Sequence, residues 1–165
     1  MSFQTLTLEI DNHVATITLN RPEMMNAFSE QLIWEMGEAT KTVKDDSQIR
    51  VLVITGEGRG FTAGADLSER DASWSDTKDA LERGYYPFLK NIIDMPKPVI
   101  GSINGAAAGI GAAVAMACDL RIMAKEAYIM SVFSNIALVP DGGLSFLLTR
   151  EIGYSRALEY AIEAK

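Results

Sequence analysis

Pro98-Val-Ile-Gly-Ser-Ile-Asn-Gly-Ala-Ala-Ala-Gly-Ile-Gly-Ala-Ala-Val-Ala-Met-Ala-Cys118 decides how the chain is read. These 21 residues carry no charge and include a small-xxx-small pattern, so they imitate a membrane span. They divide instead into a β-branched half and an Ala-rich half, with Pro98, Ser102 and Asn104 interrupting. A buried strand over Pro98–Ile103, followed by a closely packed helix over Gly105–Ala117, accounts for that division.

Working outward, Thr5–Ile10 and His13–Leu19 alternate polar and apolar residues around Asp11-Asn12, which predicts a hairpin with His13 as a half-exposed strand residue. Ser29 is positioned to cap a helix whose apolar residues Leu32, Ile33, Met36, Ala39 and Val43 recur at helical spacing. Val51–Thr55 is largely apolar, as in a strand buried on both faces, and runs into the turn Gly56-Glu-Gly-Arg-Gly60. A helix over Thr77–Asp94 carries Leu81, Tyr85, Phe88, Leu89 and Ile92, with Pro87 placed to kink it. Short strands follow at Leu120–Ala124 and Tyr128–Ser131, then helices at Ser145–Thr149 and Ser155–Ala164. Strands alternating with helices after a hairpin indicate an α/β fold with a largely parallel sheet. Leu158, Ala161 and Ile162 of the last helix have no downstream segment to cover them, which suggests a fragment and a helix that packs on a neighbouring subunit or a further segment.

Composition narrows the function classes. A chain of 165 residues with 48% hydrophobic and 22% charged residues can bury a core, so disorder of the whole is excluded. A net charge of -7 argues against nucleic acid or an anionic membrane as principal partner. One cysteine, Cys118, excludes an intrachain disulfide, and one histidine, His13, makes a His/Cys metal site or a histidine-based triad very hard to build. No basic n-region opens the chain, and a reducing cytoplasmic setting fits.

Phe61-Thr-Ala-Gly-Ala-Asp66 and Asn104-Gly-Ala-Ala-Ala-Gly-Ile-Gly111 each follow a buried strand. Ligands of parallel α/β sheets bind beyond the carboxyl ends of strands. Small residues there let a ligand approach backbone N–H groups, and converging N–H groups suit an oxyanion. Tight packing alone would also explain both segments.

The motifs are more specific. Asn20-Arg-Pro-Glu-Met-Met-Asn-Ala27, Phe61-Thr-Ala-Gly-Ala-Asp-Leu67, Lys97-Pro-Val-Ile-Gly-Ser-Ile-Asn-Gly105, Gly109-Ile-Gly111 through Cys118-Asp119, and Leu138-Val-Pro-Asp-Gly-Gly143 stand in this order. Together they resemble the crotonase superfamily, the enoyl-CoA hydratase/isomerase family, over almost the whole chain. The resemblance implies the crotonase (ClpP/crotonase-like) fold of repeated β-β-α units. Residues 1–165 would form the N-terminal core domain, lacking the C-terminal trimerisation helices. It further implies an acyl-CoA thioester as substrate, with coenzyme A part of that substrate and no other cofactor, no membrane insertion, and a homotrimer or dimer of trimers.

Carried onto this sequence, the resemblance makes the Ala65 and Ile110 N–H groups the oxyanion hole, although glycine is frequent where Ile110 stands. Met25, Ala27, Ala63, Asp66 and Leu67 would line the coenzyme A, Asp66 with the further role of ordering its own turn. The two glutamates of family hydratases correspond to Ala113 and Phe133, so Phe133 becomes a substrate-pocket wall. Neither side chain can move a proton. Asp141 occupies the turn where isomerase-type members carry an acid. The implied activity is a Δ3 to Δ2 double-bond shift in fatty-acid metabolism. Hydration or another crotonase-type lyase reaction, and a non-catalytic acyl-CoA-binding protein, remain as alternatives.

Overall fold

The computed structural model describes residues 3–69 and 73–165. Strands β1 (Leu6–Asp11) and β2 (Val14–Leu19) pair antiparallel with Asp11 opposite Val14. The hairpin turn is therefore Asn12-His13, one residue later than expected. Both residues have positive φ, 46° and 70°, the handedness that matches the strands' twist. His13 is thus a turn residue, with its Nδ1 2.7 Å from the Gln48 carbonyl oxygen.

Strands β3 (Val51–Gly56), β4 (Val99–Ile103) and β6 (Leu120–Met123) extend the sheet in the order β1-β2-β3-β4-β6, parallel from β2 onward. The expectation that β3 is buried on both faces is corrected. Leu52 and Ile54 are fully buried, whereas Val51, Val53 and Thr55 are half-buried. The buried face joins α1 (Glu30–Asp45) through Leu32, Met36, Ala39 and Val43 in one core. Ser29 caps α1, its Oγ accepting from the Leu32 N–H.

The segment read as one helix over Gly105–Ala117 is two elements. Strand β5 (Ala106–Ala108) pairs parallel with β7 (Tyr128–Met130), and only then does α4 (Ile110–Ala117) begin. The cause lies in the backbone. The Ala106 carbonyl accepts from the Thr62 N–H and the Ala108 N–H donates to the Thr62 carbonyl, so these residues stay extended. Every residue of α4 is buried, as its Ala-rich composition allows.

Between β3 and β4 the chain forms α2 (Thr77–Asp79), a π-helical stretch Ala80–Tyr85 and α3 (Tyr86–Ile93). The kink expected at Pro87 is absorbed as this wider turn: the Tyr86 N–H reaches the Leu81 carbonyl, five residues back. That widening makes room for a ring that would otherwise strike the preceding turn. A 3-10 turn at Phe133–Ile136 precedes α5 (Leu144–Ile152) and α6 (Tyr154–Glu163). On α6 Ala157 is buried, while Leu158 and Ile162 are exposed.

Two asparagines brace the turn after β3. Asn26, wholly buried, accepts from the Arg21 N–H at 2.9 Å and donates to the Glu57 and Gly60 carbonyls, each at 2.9 Å. Asn104 donates to the Gly56 and Gly58 carbonyls at 2.8 and 2.9 Å. Each bond contributes about 0.5–1.5 kcal/mol net. Asn26→Ala should therefore lower unfolding free energy by about 2–4 kcal/mol, read as an earlier urea midpoint at unchanged m-value. An unshifted midpoint would remove Asn26 as the brace.

Candidate active site

Phe61 is fully buried and starts the segment that leaves the sheet's carboxyl edge. The Thr62 hydroxyl donates to the Asn26 carbonyl at 2.7 Å and lies 3.2 Å from the Gly64 N–H, which donates to it. Phe28 then bridges the segment in parallel fashion: its N–H donates to the Gly64 carbonyl at 2.7 Å, and its carbonyl accepts from the Asp66 N–H at 3.0 Å. Such a bridge uses the amides on either side of Ala65 and turns the Ala65 N–H the other way.

Gly64 and Gly109 bring the second N–H beside it. Their φ values are +100° and +57°. A methyl group on Gly64 would stand 2.8 Å from the Ala108 carbonyl oxygen and 3.6 Å from the Gly109 Cα. The two loops therefore cross glycine against glycine, and the next residues are Ala65 and Ile110. Ile110 opens α4, where a backbone N–H has no intrahelical acceptor and the helix dipole favours negative charge. Among the described residues neither the Ala65 nor the Ile110 N–H has an acceptor.

Both residues line a cavity of about 100 Å³ together with Ala63, Leu67, Tyr85, Phe133 and Asp141. Among the described residues Asp141 is its one carboxylate. The Asp141 Oδ1 is buried and finds no hydrogen-bond partner among the described residues. Burial pushes the Asp141 carboxyl up to about 6, against a smaller opposing effect of its own backbone N–H. An acid held there is still ionised above neutrality and is a far better proton acceptor than an exposed aspartate.

Gly142 explains how Asp141 gets there. Its φ is +57°, and a methyl group on it would lie 2.3 Å from Ile110 Cδ1, 3.1 Å from Ala113 Cβ and 3.3 Å from Leu89 Cδ1. The turn thus lies directly on α4, and the methyl side chain of Ala113 is what leaves space for it. Phe133, 5% exposed, closes another wall.

Of the other residues proposed from the sequence, Ala63 and Leu67 line this cavity, and Met25, Ala27 and Asp66 do not. Ala27 is buried. Met25 adopts φ +52°, with its Sδ 2.9 Å from Arg59 Nε. Asp66 accepts from Ser68 and from Arg21 Nη2 at 2.9 Å. The Ser68 hydroxyl foremost, with Arg21 assisting, holds its carboxyl below the usual range against the cost of burial. That is a carboxylate ordering its own turn. Tyr85, Ile136 and Leu138, which the sequence reading left out of the site, line the cavity as well. An aromatic hydroxyl within an aliphatic helical stripe was the available signal for Tyr85.

Relatives bear on the same geometry. The family model described as Enoyl-CoA hydratase/isomerase matches residues 9–165. The chain belongs to this family. It is 40% identical over 157 residues to the 1,2-epoxyphenylacetyl-CoA isomerase of Escherichia coli, covering 93% of this chain and 60% of that protein. It is 37% identical over 167 residues to the trans-2-decenoyl-acyl-carrier-protein isomerase of Streptococcus mutans, covering 98% and 63%. The crystal structure of an enoyl-CoA hydratase from Mycobacterium avium subsp. paratuberculosis superposes with a TM-score of 0.89 at 30% identity, covering 99% of this chain and 62% of that one. The fold is the crotonase fold, and the chain spans less than two thirds of the length of these relatives. Their names include both isomerase and hydratase.

The packing of Gly142 makes a direct prediction. Gly142→Ala forces a methyl group against Ile110 and Ala113 at a left-handed backbone position, which costs about 1–3 kcal/mol. The turn should retreat, and the Asp141 carboxyl should move back toward the ordinary aspartate range as water reaches it. Titration of its carboxyl carbon by NMR would read this, and a pKa still near about 6 in a folded variant would refute it.

Proposed function

We propose that the protein catalyses a Δ3 to Δ2 double-bond shift in an enoyl-CoA thioester, with Asp141 as the single proton carrier. The reading rests chiefly on one observation: the cavity lined by Ala65 and Ile110 is lined, among the described residues, by one carboxylate. The thioester carbonyl oxygen accepts from both N–H groups. Asp141 takes the proton at C2, and the C–H electron pair moves into the C1–C2 bond and onto the carbonyl oxygen as an enolate. The same proton is then delivered to C4 while the enolate electrons return, leaving the double bond between C2 and C3. No proton is gained or lost overall, and one carboxylate suffices. Each N–H donor contributes about 2.7–4 kcal/mol to holding the enolate.

Coenzyme A enters past Ala63 and the exposed Leu67. Hydration is the weaker reading. It needs groups both to activate water and to protonate carbon, and Ala113 has the Gly142 turn pressed against its Cβ, where a carboxylate would have to fit.

Asp141→Asn keeps size and shape but removes the base, so kcat for a 3-enoyl-CoA should fall by about 10²–10⁴-fold while acyl-CoA binding changes little. For the unaltered protein, kcat/KM should rise as pH increases through about 6 and level off above it, because the base works only when ionised. The sign for stability is opposite. The folded protein holds the Asp141 proton more tightly than the unfolded chain, so this group's contribution declines as pH rises through that range. Asp141→Asn should accordingly raise Tm at pH 7.5. Undiminished turnover in the variant would assign the proton transfer to another base, and absence of turnover in the unaltered protein would leave a binding protein as the explanation.

A further inference from the structure

The cavity that Asp141 enters is walled mostly by side chains that cannot donate a hydrogen bond. Leu67, Ile110, Val132, Phe133 and Leu138 are apolar, and an ionised Asp141 only accepts. Tyr85 is the exception. Among the described residues its phenol is the one side-chain hydrogen-bond donor that lines the cavity.

The position of that phenol is set by packing. Its ring lies edge-on to Phe28 and Phe88 at centroid distances of 6.2 and 6.1 Å, and those two buried rings stack on each other at 5.5 Å. Phe28 is also the residue whose backbone bonds to Gly64 and Asp66, on either side of Ala65. One phenylalanine thus holds the phenol and the Ala65 segment in a common frame. The π-helical turn ahead of Pro87 ends on Tyr85, and turns of this kind are frequent at functional sites. Burial foremost, followed by the charge of Asp141, pushes the phenol above the ordinary tyrosine range, so it keeps its proton. The hydroxyl is not spent on the base: among the described residues no side-chain hydrogen bond reaches the Asp141 carboxyl, although both groups line one cavity. A donor shut into an apolar cavity is costly unless the ligand brings an acceptor. In the proposed mechanism the thioester oxygen is held by the Ala65 and Ile110 N–H groups, so the acceptor for Tyr85 lies elsewhere on the acyl group.

We infer that Tyr85 is a specificity-determining residue, its hydroxyl donating a hydrogen bond to an oxygen substituent carried just past the reacting C2–C4 unit of the acyl group. An acyl chain with a hydroxyl or carbonyl oxygen at C5 is then preferred over its hydrocarbon isostere. The inference rests on the enolate reading of the site, because it is Asp141 that holds C2 and C4 and so brings the next carbon to Tyr85.

Tyr85→Phe tests it, since the variant keeps the ring and its packing and removes only the hydroxyl. Calorimetry compares 5-hydroxyhexanoyl-CoA and the acceptor-only 5-oxohexanoyl-CoA with the isosteric 5-methylhexanoyl-CoA, and turnover compares 5-hydroxyhex-3-enoyl-CoA with 5-methylhex-3-enoyl-CoA. The two oxygenated ligands should lose about two- to tenfold in affinity in the variant, the measure of one neutral hydrogen bond, while the methyl isostere binds as well as before or better. kcat/KM for the hydroxylated substrate should fall by a similar factor, with the pH midpoint unmoved. An equal loss for all ligands, or none for any, overturns the inference and leaves Tyr85 a packing residue. A midpoint that rises in the variant for every substrate overturns it too, and assigns the hydroxyl to the Asp141 carboxylate. A preference for oxygenated ligands that Tyr85→Phe abolishes, without turnover of any 3-enoyl thioester, would uphold the role of Tyr85 and refute the isomerase reading instead.

Discussion

The contact between Gly64 and Gly109 is the constraint on which the rest depends. Two backbones cross with no side chain between them, one following β3 and the other leaving β5, and the residue after each glycine, Ala65 and Ile110, lines the same cavity. Neither loop could come so close with a Cβ in the way, since a methyl group on Gly64 would press on the Ala108 carbonyl. The parallel sheet sets the two loops on one edge. The bridges Phe28–Ala65 and Thr62–Ala107 then fix their height relative to each other. Asn26, buried, and Asn104, half-buried, hold the preceding turn by bonding to its carbonyls, so the placement of the two loops is carried by side-chain amides.

That arrangement explains why much of the site was legible in the sequence. Glycines that let backbones cross, and asparagines that satisfy the carbonyls of a tight turn, are demanded by local geometry, and local geometry leaves a local motif. The segments Asn20–Ala27, Phe61–Leu67 and Lys97–Gly105 are of this kind. What was less legible depends on partners distant in the chain. Ala106–Ala108 has the composition of a helix, and becomes a strand because Thr62 takes its hydrogen bonds. Tyr85 belongs to a helical stripe by spacing, and reaches the cavity through a widened turn that periodicity does not reveal. Val51, Val53 and Thr55 are apolar or β-branched on a face that the described residues leave half-covered.

On the proposed mechanism, Asp141 carries the cost of function in this fold. A carboxylate with a buried oxygen that has no partner among the described residues destabilises the folded chain, and nothing in the local turn chemistry requires it. Pro140-Asp141-Gly142-Gly143 could form its turn with the side chain in water. It is the seating of Gly142 on Ile110 and Ala113 that carries the acid inward and raises its proton affinity. Stability is given up at a position where reactivity is gained.

The same contact bears on which chemistry this scaffold supports. With alanine at 113, the 140–143 turn can press on α4, and its aspartate reaches the cavity. With a longer side chain there, the turn would have to withdraw, and the acid with it. The side-chain volume at 113 and the reach of the turn are therefore coupled through a few ångströms of packing between Ala113, Ile110 and Gly142. A carboxylate on the helix and a carboxylate on this turn compete for one space. On the proposed mechanism, small side chains on α4 are thus more than a core-packing preference: they decide from which element the proton carrier comes, while the two N–H donors, built from backbone, stay the same in either case.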